Sequence, residues 1–309
     1  FPSTQMSGCY AVFHKQLGDL LLLEPALRRL RAHHGGPVRV MTRAGHLPLL
    51  RLMACARPQT GPALAWHSHL YCFDPLNKSA ARAFFAPARV KQCILPEPRE
   101  IQWFHRHLFR DIIVPGLGDR YVAEYFWDNT PVPTDGGFHP PRLEVPPAEW
   151  RPSGIGREPF LLLNPTSGWR QKTWLPERWA EVIRGLVADG APRVIMTSAS
   201  TDWQVEHCRA IADGVPDLQS LASGTTLQEF LWLCANASMV LTVDGAASHL
   251  AAAFGVRSLT LFGPTAIGNW HHPTSRNIAL QAASDKDGKA RLRNLSSDEV
   301  LGAARTLWG

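Results

Sequence analysis

Along this chain, apolar runs of strand length alternate with longer stretches whose apolar residues recur at helical spacing, the pattern of a parallel sheet covered by helices on both faces. In the first half, residues 10–14 read as a strand, 19–34 as a helix, 38–42 as a strand and 47–55 as a helix, and further on 101–113 and 120–127 read as helical. The stretch 139–159 is crowded with Pro and Gly, so it can continue neither a helix nor a central strand and reads as a linker. Beyond it the alternation restarts. Strands are expected at 160–164, 193–197, 239–243 and 258–262, and helices at 176–188, 202–212, 227–235 and 246–254. A last helix, 297–307, opens on Ser296-Ser297-Asp298-Glu299, a capping signal.

With 309 residues, 45% apolar and 19% charged, the chain can bury two ordinary cores, which excludes a disordered or low-complexity protein. Two Rossmann-like domains are therefore expected: 1–145, and 146–309 with the last helix packing back on the first domain. A cleft between the carboxyl ends of two such sheets is the expected active site. No apolar run reaches the ~18 residues that span a bilayer, and the four leucines from Leu20 are too short for a signal-peptide core. These features predict a soluble, cytoplasmic protein. Because numbering opens on Phe1, the residues up to Met6 are set aside as either a non-native addition or a trimmed end.

The six cysteines contain no C-x-x-C and several lie in apolar surroundings, so reduced core thiols are expected rather than disulfides or zinc. The pairs His67/His69 and His105/His107 lack H-E-x-x-H or a carboxylate at ligand spacing, so surface histidines and no metal site are expected. Net charge is +6 and uneven: 17 Lys and Arg against 12 Asp and Glu through Trp150, then 15 against 14. A first half at +5 suits an anionic glycan or glycolipid, or the face of an anionic membrane, and a basic proteome background would give the same number. Nucleic acid does not fit, because the basic residues are dispersed and lack the motif context of a reader domain.

Three segments carry candidate chemistry. His14-Lys15-Gln16-Leu17-Gly18-Asp19 follows the first strand and opens a helix; Gly18 would allow a tight turn or a close ligand approach, and Asp19 is either an N-terminal helix cap or a proton acceptor aimed at the cleft. Asn164-Pro165-Thr166-Ser167-Gly168-Trp169-Arg170-Gln171-Lys172 leaves the first strand of the second half. Its hydroxyls suit phosphate oxygens and Lys172 a leaving diphosphate, unless that lysine is a solvated loop residue. The segment matches neither Walker A nor G-x-G-x-x-G. Asp244-Gly245-Ala246-Ala247-Ser248-His249 ends a strand and starts a helix on small residues, which exposes N–H groups for a diphosphate. His249, one turn in, either bonds the donor or packs. Phe262-Gly263-Pro264-Thr265 ends the next strand at the same edge.

Together, K-Q-L-G-D-L-L-L-L-E-P-A-L, N-P-T-S-G-W-R-Q-K-T-W-L-P-E-R-W, D-G-A-A-S-H-L-A-A-A-F-G-V and L-F-G-P-T resemble the heptosyltransferase family, glycosyltransferase family nine. The resemblance implies a GT-B fold with two Rossmann-like domains facing across a cleft, the first binding the acceptor and the second the nucleotide sugar. It also implies metal-independent, inverting transfer of heptose from ADP-heptose to a lipopolysaccharide core or related glycoconjugate, without a cofactor, at the inner face of the cytoplasmic membrane. Asp19 then matches the catalytic base, with Lys15 and Gly18 in its loop. Thr166, Ser167 and Lys172 match the donor-phosphate loop, and Asp244, Gly245, Ala246 and His249 a second donor loop with Thr265 beside it. Asp202 falls where an acidic residue meets the donor ribose. The family's late cysteine-bearing segment is replaced here by Ser284-Asp285-Lys286-Asp287-Gly288-Lys289, and the middle of the first half does not align. Other readings of the same motifs are a transferase for another nucleotide sugar and a small-molecule or protein acceptor, a nucleotide-sugar epimerase, and a non-catalytic nucleotide-sugar-binding protein.

Overall fold

Sequence order and strand pairing divide the computed structural model into two units, Phe1–Glu144 and Val145–Gly309. The structure describes residues 8–63, 65–73, 78–134, 136–222, 224–272 and 274–308; the segment up to Met6 lies outside them. In the first unit the strands are β1 (Cys9–Val12), β2 (Val38–Met41), β3 (Ala56–Pro58), β4 (His67–Cys72), β5 (Ala88–Ile94) and β6 (Asp111–Ile113). They form one sheet in the order β3-β2-β1-β4-β5-β6, every pairing parallel. All four β1 residues are buried, as a central parallel strand covered on both faces requires.

The helices of this unit are α1 (Leu17–Leu22), α2 (Glu24–His34), α3 (Leu47–Arg51), α4 (Lys78–Phe85), α5 (His105–Leu108) and α6 (Val122–Asp128). The single helix expected over 19–34 is two, broken at Leu23. Pro25 is the cause: it lacks an N–H, and its ring would strike the carbonyl four residues back, at Leu21. The helix expected over 101–113 reduces to the single turn of α5, because Asp111, Ile112 and Ile113 pair with Gln92, Cys93 and Ile94 as an edge strand. The expected surface histidines are half wrong: His67 is 7% exposed and His105 fully buried. His67 sits on β4 with its ring edge-on to Tyr10, and the Nδ1 of His105 accepts the Gln102 N–H. All six cysteines are buried free thiols.

The second unit repeats the topology. Its strands are β7 (Leu161–Asn164), β8 (Val194–Met196), β9 (Gln219–Ser220), β10 (Met239–Val243), β11 (Arg257–Phe262) and β12 (Asn277–Gln281), in the parallel order β12-β11-β10-β7-β8-β9. Around them run α7 (Pro176–Ala188), α8 (Asp202–Asp213), α9 (Leu227–Asn236), α10 (Ala246–Ala253), α11 (Ile267–Trp270) and α12 (Ser297–Trp308). The capping signal before α12 is realised, with Ser296 N–H donating to Glu299 and Glu299 N–H to the Ser296 hydroxyl. The apolar stripe of α12, expected against the first domain, is buried in the second: Val300, Ala304 and Leu307 join the core with Trp179 and Leu186 of α7. Gly185 makes that contact, since a Cβ there would come within 2.6 Å of Leu301.

Counted within each unit, both sheets run 3-2-1-4-5-6, so the strand order reverses between the first and fourth strands. Ligands of open α/β sheets bind outside the carboxyl ends of the strands at that point. It lies beyond β1 and β4 in the first unit and beyond β7 and β10 in the second. Among the described residues no helix is long and apolar enough to cross a membrane.

Candidate functional site

The loops leaving β7, β10 and β11 meet at the reversal point of the second sheet. Asp244 follows β10 and is 3% exposed, and a buried carboxylate is stable only with partners that satisfy it. Lys172, from the loop after β7, places its ammonium 2.6 Å from Asp244 Oδ2, and the Thr265 hydroxyl, from the loop after β11, donates to the same oxygen at 2.5 Å. One carboxylate thus ties together three segments separated by up to 93 positions of sequence, Lys172 to Thr265. The ammonium also lies 4.7 Å over the ring of Trp169, which is 61% exposed. Lys172 is therefore a held cation and not a solvated loop lysine: its side chain is 14% exposed.

Backbone proximity completes the arrangement. A Cβ on Gly245 would lie 3.2 Å from Ser167 Cβ, so glycine lets the two loops touch. Gly245 and Ala246 open α10, whose first turn carries no acidic residue, and Ser248 donates to the Gly245 carbonyl. The N-terminal end of such a helix favours an anion. His249, 8% exposed, lies in the next part of α10. Burial drives its pKa down, His271 and Lys172 push the same way and Asp244 opposes, leaving a neutral imidazole at neutral pH.

Thr166 is 4% exposed and Ser167 half-buried. Both are fixed by a residue the sequence reading missed: Gln204 donates to the Thr166 hydroxyl and to the Ser167 carbonyl, each at 3.0 Å, while Thr201 donates to its carbonyl oxygen. The signal was a polar residue on the buried stripe Gln204, Cys208, Ile211 of α8. Asp202, two residues earlier, is exposed at the start of α8 and is not joined to the Lys172, Asp244 and Thr265 cluster.

In the first unit Asp19 is half-buried in the first turn of α1, and its Oδ2 accepts the backbone N–H of Gln16 at 3.1 Å. At the third helical position it closes the capping box that opens on Gln16. Gly18 is helical and makes no left-handed turn, contrary to the tight turn expected of it; Lys15 is half-buried in the preceding loop. Across the reversal point, His14 Nδ1 and the Ser79 hydroxyl are hydrogen-bonded at 3.2 Å, and Arg43 donates to the His14 carbonyl and to Gln16. Burial, followed by Arg82, Arg43 and Lys78, lowers the pKa of His14. This cationic rim escaped the sequence reading because β4, the strand before the helix α4 that carries Lys78, Ser79 and Arg82, contains two histidines and gives no clean strand pattern.

Two doubly wound parallel sheets in succession define the chain as an α/β protein of the GT-B class. The model of glycosyltransferase family 9 (heptosyltransferase) matches residues 137–298, more than half of the chain, which belongs to that family. Lipopolysaccharide heptosyltransferase 3 of Escherichia coli is 29% identical over 182 residues, 56% of this chain and 53% of that protein. Lipopolysaccharide heptosyltransferase 1 of E. coli K12 is 27% identical over 184 residues, 60% and 48%. The chain spans about half the length of the curated relatives it matches. Among solved structures, the glycosyl transferase family 9 protein of Veillonella parvula superposes with a TM-score of 0.83 at 16% identity, over 98% of this chain and 97% of that one. E. coli ADP-heptose lps heptosyltransferase II gives 0.80 at 18%, over 97% and 98%. At such identities the likeness is one of fold.

Proposed function

We propose that this protein is an inverting glycosyltransferase that moves heptose from ADP-heptose to an acceptor hydroxyl on a lipopolysaccharide core or related glycoconjugate. The observation that carries the reading is the convergence of Lys172, Asp244 and Thr265 from three loops at the reversal point of the second sheet, beside the N-terminus of α10. Family membership supports the reaction class, and a structural neighbour, an E. coli heptosyltransferase, was solved with ADP.

In this mechanism the second unit holds the nucleotide diphosphate. Its phosphate oxygens take hydrogen bonds from Thr166, Ser167 and the first N–H groups of α10, and Asp202 meets the ribose. Asp19 accepts the proton of the acceptor hydroxyl, whose oxygen attacks the anomeric carbon. The bond from that carbon to the phosphate oxygen breaks, and its electron pair leaves with the diphosphate. Negative charge therefore grows where the ammonium of Lys172 stands, which lowers the barrier because the interaction strengthens in the transition state. Asp244 is the positioning residue that keeps the ammonium in place, and neutral His249 offers a hydrogen bond without adding charge. Neither a metal nor a cofactor takes part, since fixed cations and helix N–H groups do that work. The acceptor binds the basic first unit, on the cytoplasmic side of the membrane.

The test is a panel of nucleoside diphosphates and their sugars against the full chain, read by melting temperature. A ligand at 100 times its Kd stabilises by about 2.7 kcal/mol. ADP and ADP-heptose are expected to stabilise and the uridine and guanosine analogues not to; stabilisation by a uridine or guanosine sugar alone overturns the choice of donor.

A further inference from the structure

The first unit exposes three large aromatic side chains close together: Phe84 at 64%, Phe85 at 79% and Trp103 at 78%. Phe84, with Ala80 and Ala81 of α4, forms one wall of an apolar groove of about 450 Å³, and Trp103, Phe104 and Leu108 form the other. Clustered apolar exposure of this kind marks a binding surface. The charges on the same segments are all positive. Residues 78–94 carry Lys78, Arg82, Arg89 and Lys91, residues 101–110 carry Arg106 and Arg110, and neither segment contains Asp or Glu. Arg82, Arg89, Arg106 and Arg110 are exposed, while Lys91 bonds the carbonyls of Ala83 and Phe84 and so ties β5 to the end of α4.

We propose that this groove is the surface by which the protein docks on an anionic phospholipid bilayer. Phe84 and Phe85 beside Arg82 on the short helix α4, with Trp103 in the turn before α5, are suited to the interface, where rings enter the acyl boundary and guanidinium groups meet lipid phosphates. A second copy of the chain fits less well, because a two-fold contact through the patch would set Arg82 and Arg106 against their own counterparts. The direction of α4 gives the docking a purpose. Its first turn carries Ser79, which is bonded to His14, and it ends at Phe85, about 9 Å beyond Ser79 along its axis. A bilayer at the Phe85 end brings a lipid-borne acceptor towards the loop that carries Asp19; this consequence rests on the proposed transfer, whereas the docking does not.

Flotation of the full chain with phosphatidylcholine vesicles, with and without phosphatidylglycerol, tests the docking apart from any reaction. Binding is expected only to the anionic vesicles and should weaken as salt rises. Phe84→Ser with Phe85→Ser should reduce it at least tenfold through lost apolar burial, and Arg106→Glu at least fivefold through lost attraction. These side chains are exposed, so melting temperatures should stay at the parent value, and Arg106→Glu gives an answer should the phenylalanine pair fail to fold. Absence of flotation with anionic vesicles, or binding unchanged in both variants, overturns the proposal. So does a dimer of the parent that the phenylalanine variant abolishes, which would make the patch a contact between copies. Sugar transfer to a soluble acceptor alongside failed flotation would sink the docking and leave the transfer standing.

Discussion

Replacing Lys172 by Ala separates a held cation from a loop lysine. In the folded protein its ammonium is 2.6 Å from a carboxylate that is 3% exposed, and the lysine side chain is itself 14% exposed. Removing one member of a buried pair leaves an uncompensated charge and costs about 3–5 kcal/mol in fully enclosed sites. Here the Thr265 hydroxyl still donates to Asp244, and solvent could reach the space left by the lysine stem, so about 2–3 kcal/mol is expected. A unit of this size loses roughly 2–4 °C per kcal/mol, which makes the drop roughly 4–12 °C in the transition of the second unit. Asp244→Asn alone should cost less, because the amide still accepts from Thr265 and Lys172 can turn to solvent. The double variant Lys172→Ala with Asp244→Asn should recover part of the loss, with a coupling of about 0.5–3 kcal/mol. Calorimetry of the four proteins, paired with ADP titration, measures this. A single Lys172→Ala variant within about 0.5 kcal/mol of the parent, the range of an ordinary surface change, would refute the held-cation account, and unchanged ADP affinity would remove the lysine from the donor site.

Gln204→Ala should strip both hydrogen bonds from the Thr166 and Ser167 loop, lower stability by about 1–3 kcal/mol and weaken ADP although Gln204 is not expected to touch it; unaltered ADP affinity would show that the loop needs no such support. Stability should fall as pH drops below ~6.5, the value of an unfolded histidine, because burial holds His34 and His46 at about 4 and also lowers His249. In that window the unfolded chain binds more protons, so stability is present above it and lost towards pH 4; a melting temperature flat from pH 7 to 5 contradicts this, and His34→Gln should flatten part of the slope. Chelation should leave transfer unaffected, since Lys172 and the helix N–H groups carry the leaving charge in this mechanism; loss with EDTA restored by magnesium would require a metal instead.

The second unit was largely legible in the sequence because its inner strands, such as Met239–Val243, are buried on both faces and stand out as unbroken apolar runs. Thr166, Ser167, Lys172, Asp244 and Thr265 follow those strands directly, so their gathering at one sheet edge followed from the topology. Contacts across that edge were not legible. Nothing in the spacing of Lys172 and Asp244 announces an ion pair, and Gln204 acts from a helix face otherwise given to packing. In the first unit, β4 begins His67-Ser68-His69 and β6 is three residues long, so local pattern could not outweigh helix-like neighbours. The break at Pro25 was readable from proline chemistry, but the leucines on either side extended the helical pattern through it.

The central claim is that Asp19 removes the acceptor proton and does more than cap α1. Asp19→Asn isolates that difference, because the amide oxygen can still accept the Gln16 N–H that Asp19 Oδ2 now takes at 3.1 Å while the proton acceptor is lost. Loss of a cap costs at most about 2 kcal/mol even on truncation to Ala, so the Asn variant should melt close to the parent and bind ADP equally well. The decisive measurement is the single-turnover rate of sugar transfer from ADP-heptose for parent and Asp19→Asn, with melting temperature and ADP affinity taken on the same samples. General-base catalysis predicts a fall of ~10²–10⁴ in rate; transfer within a few fold of the parent would contradict the account and leave Asp19 as the cap of a helix.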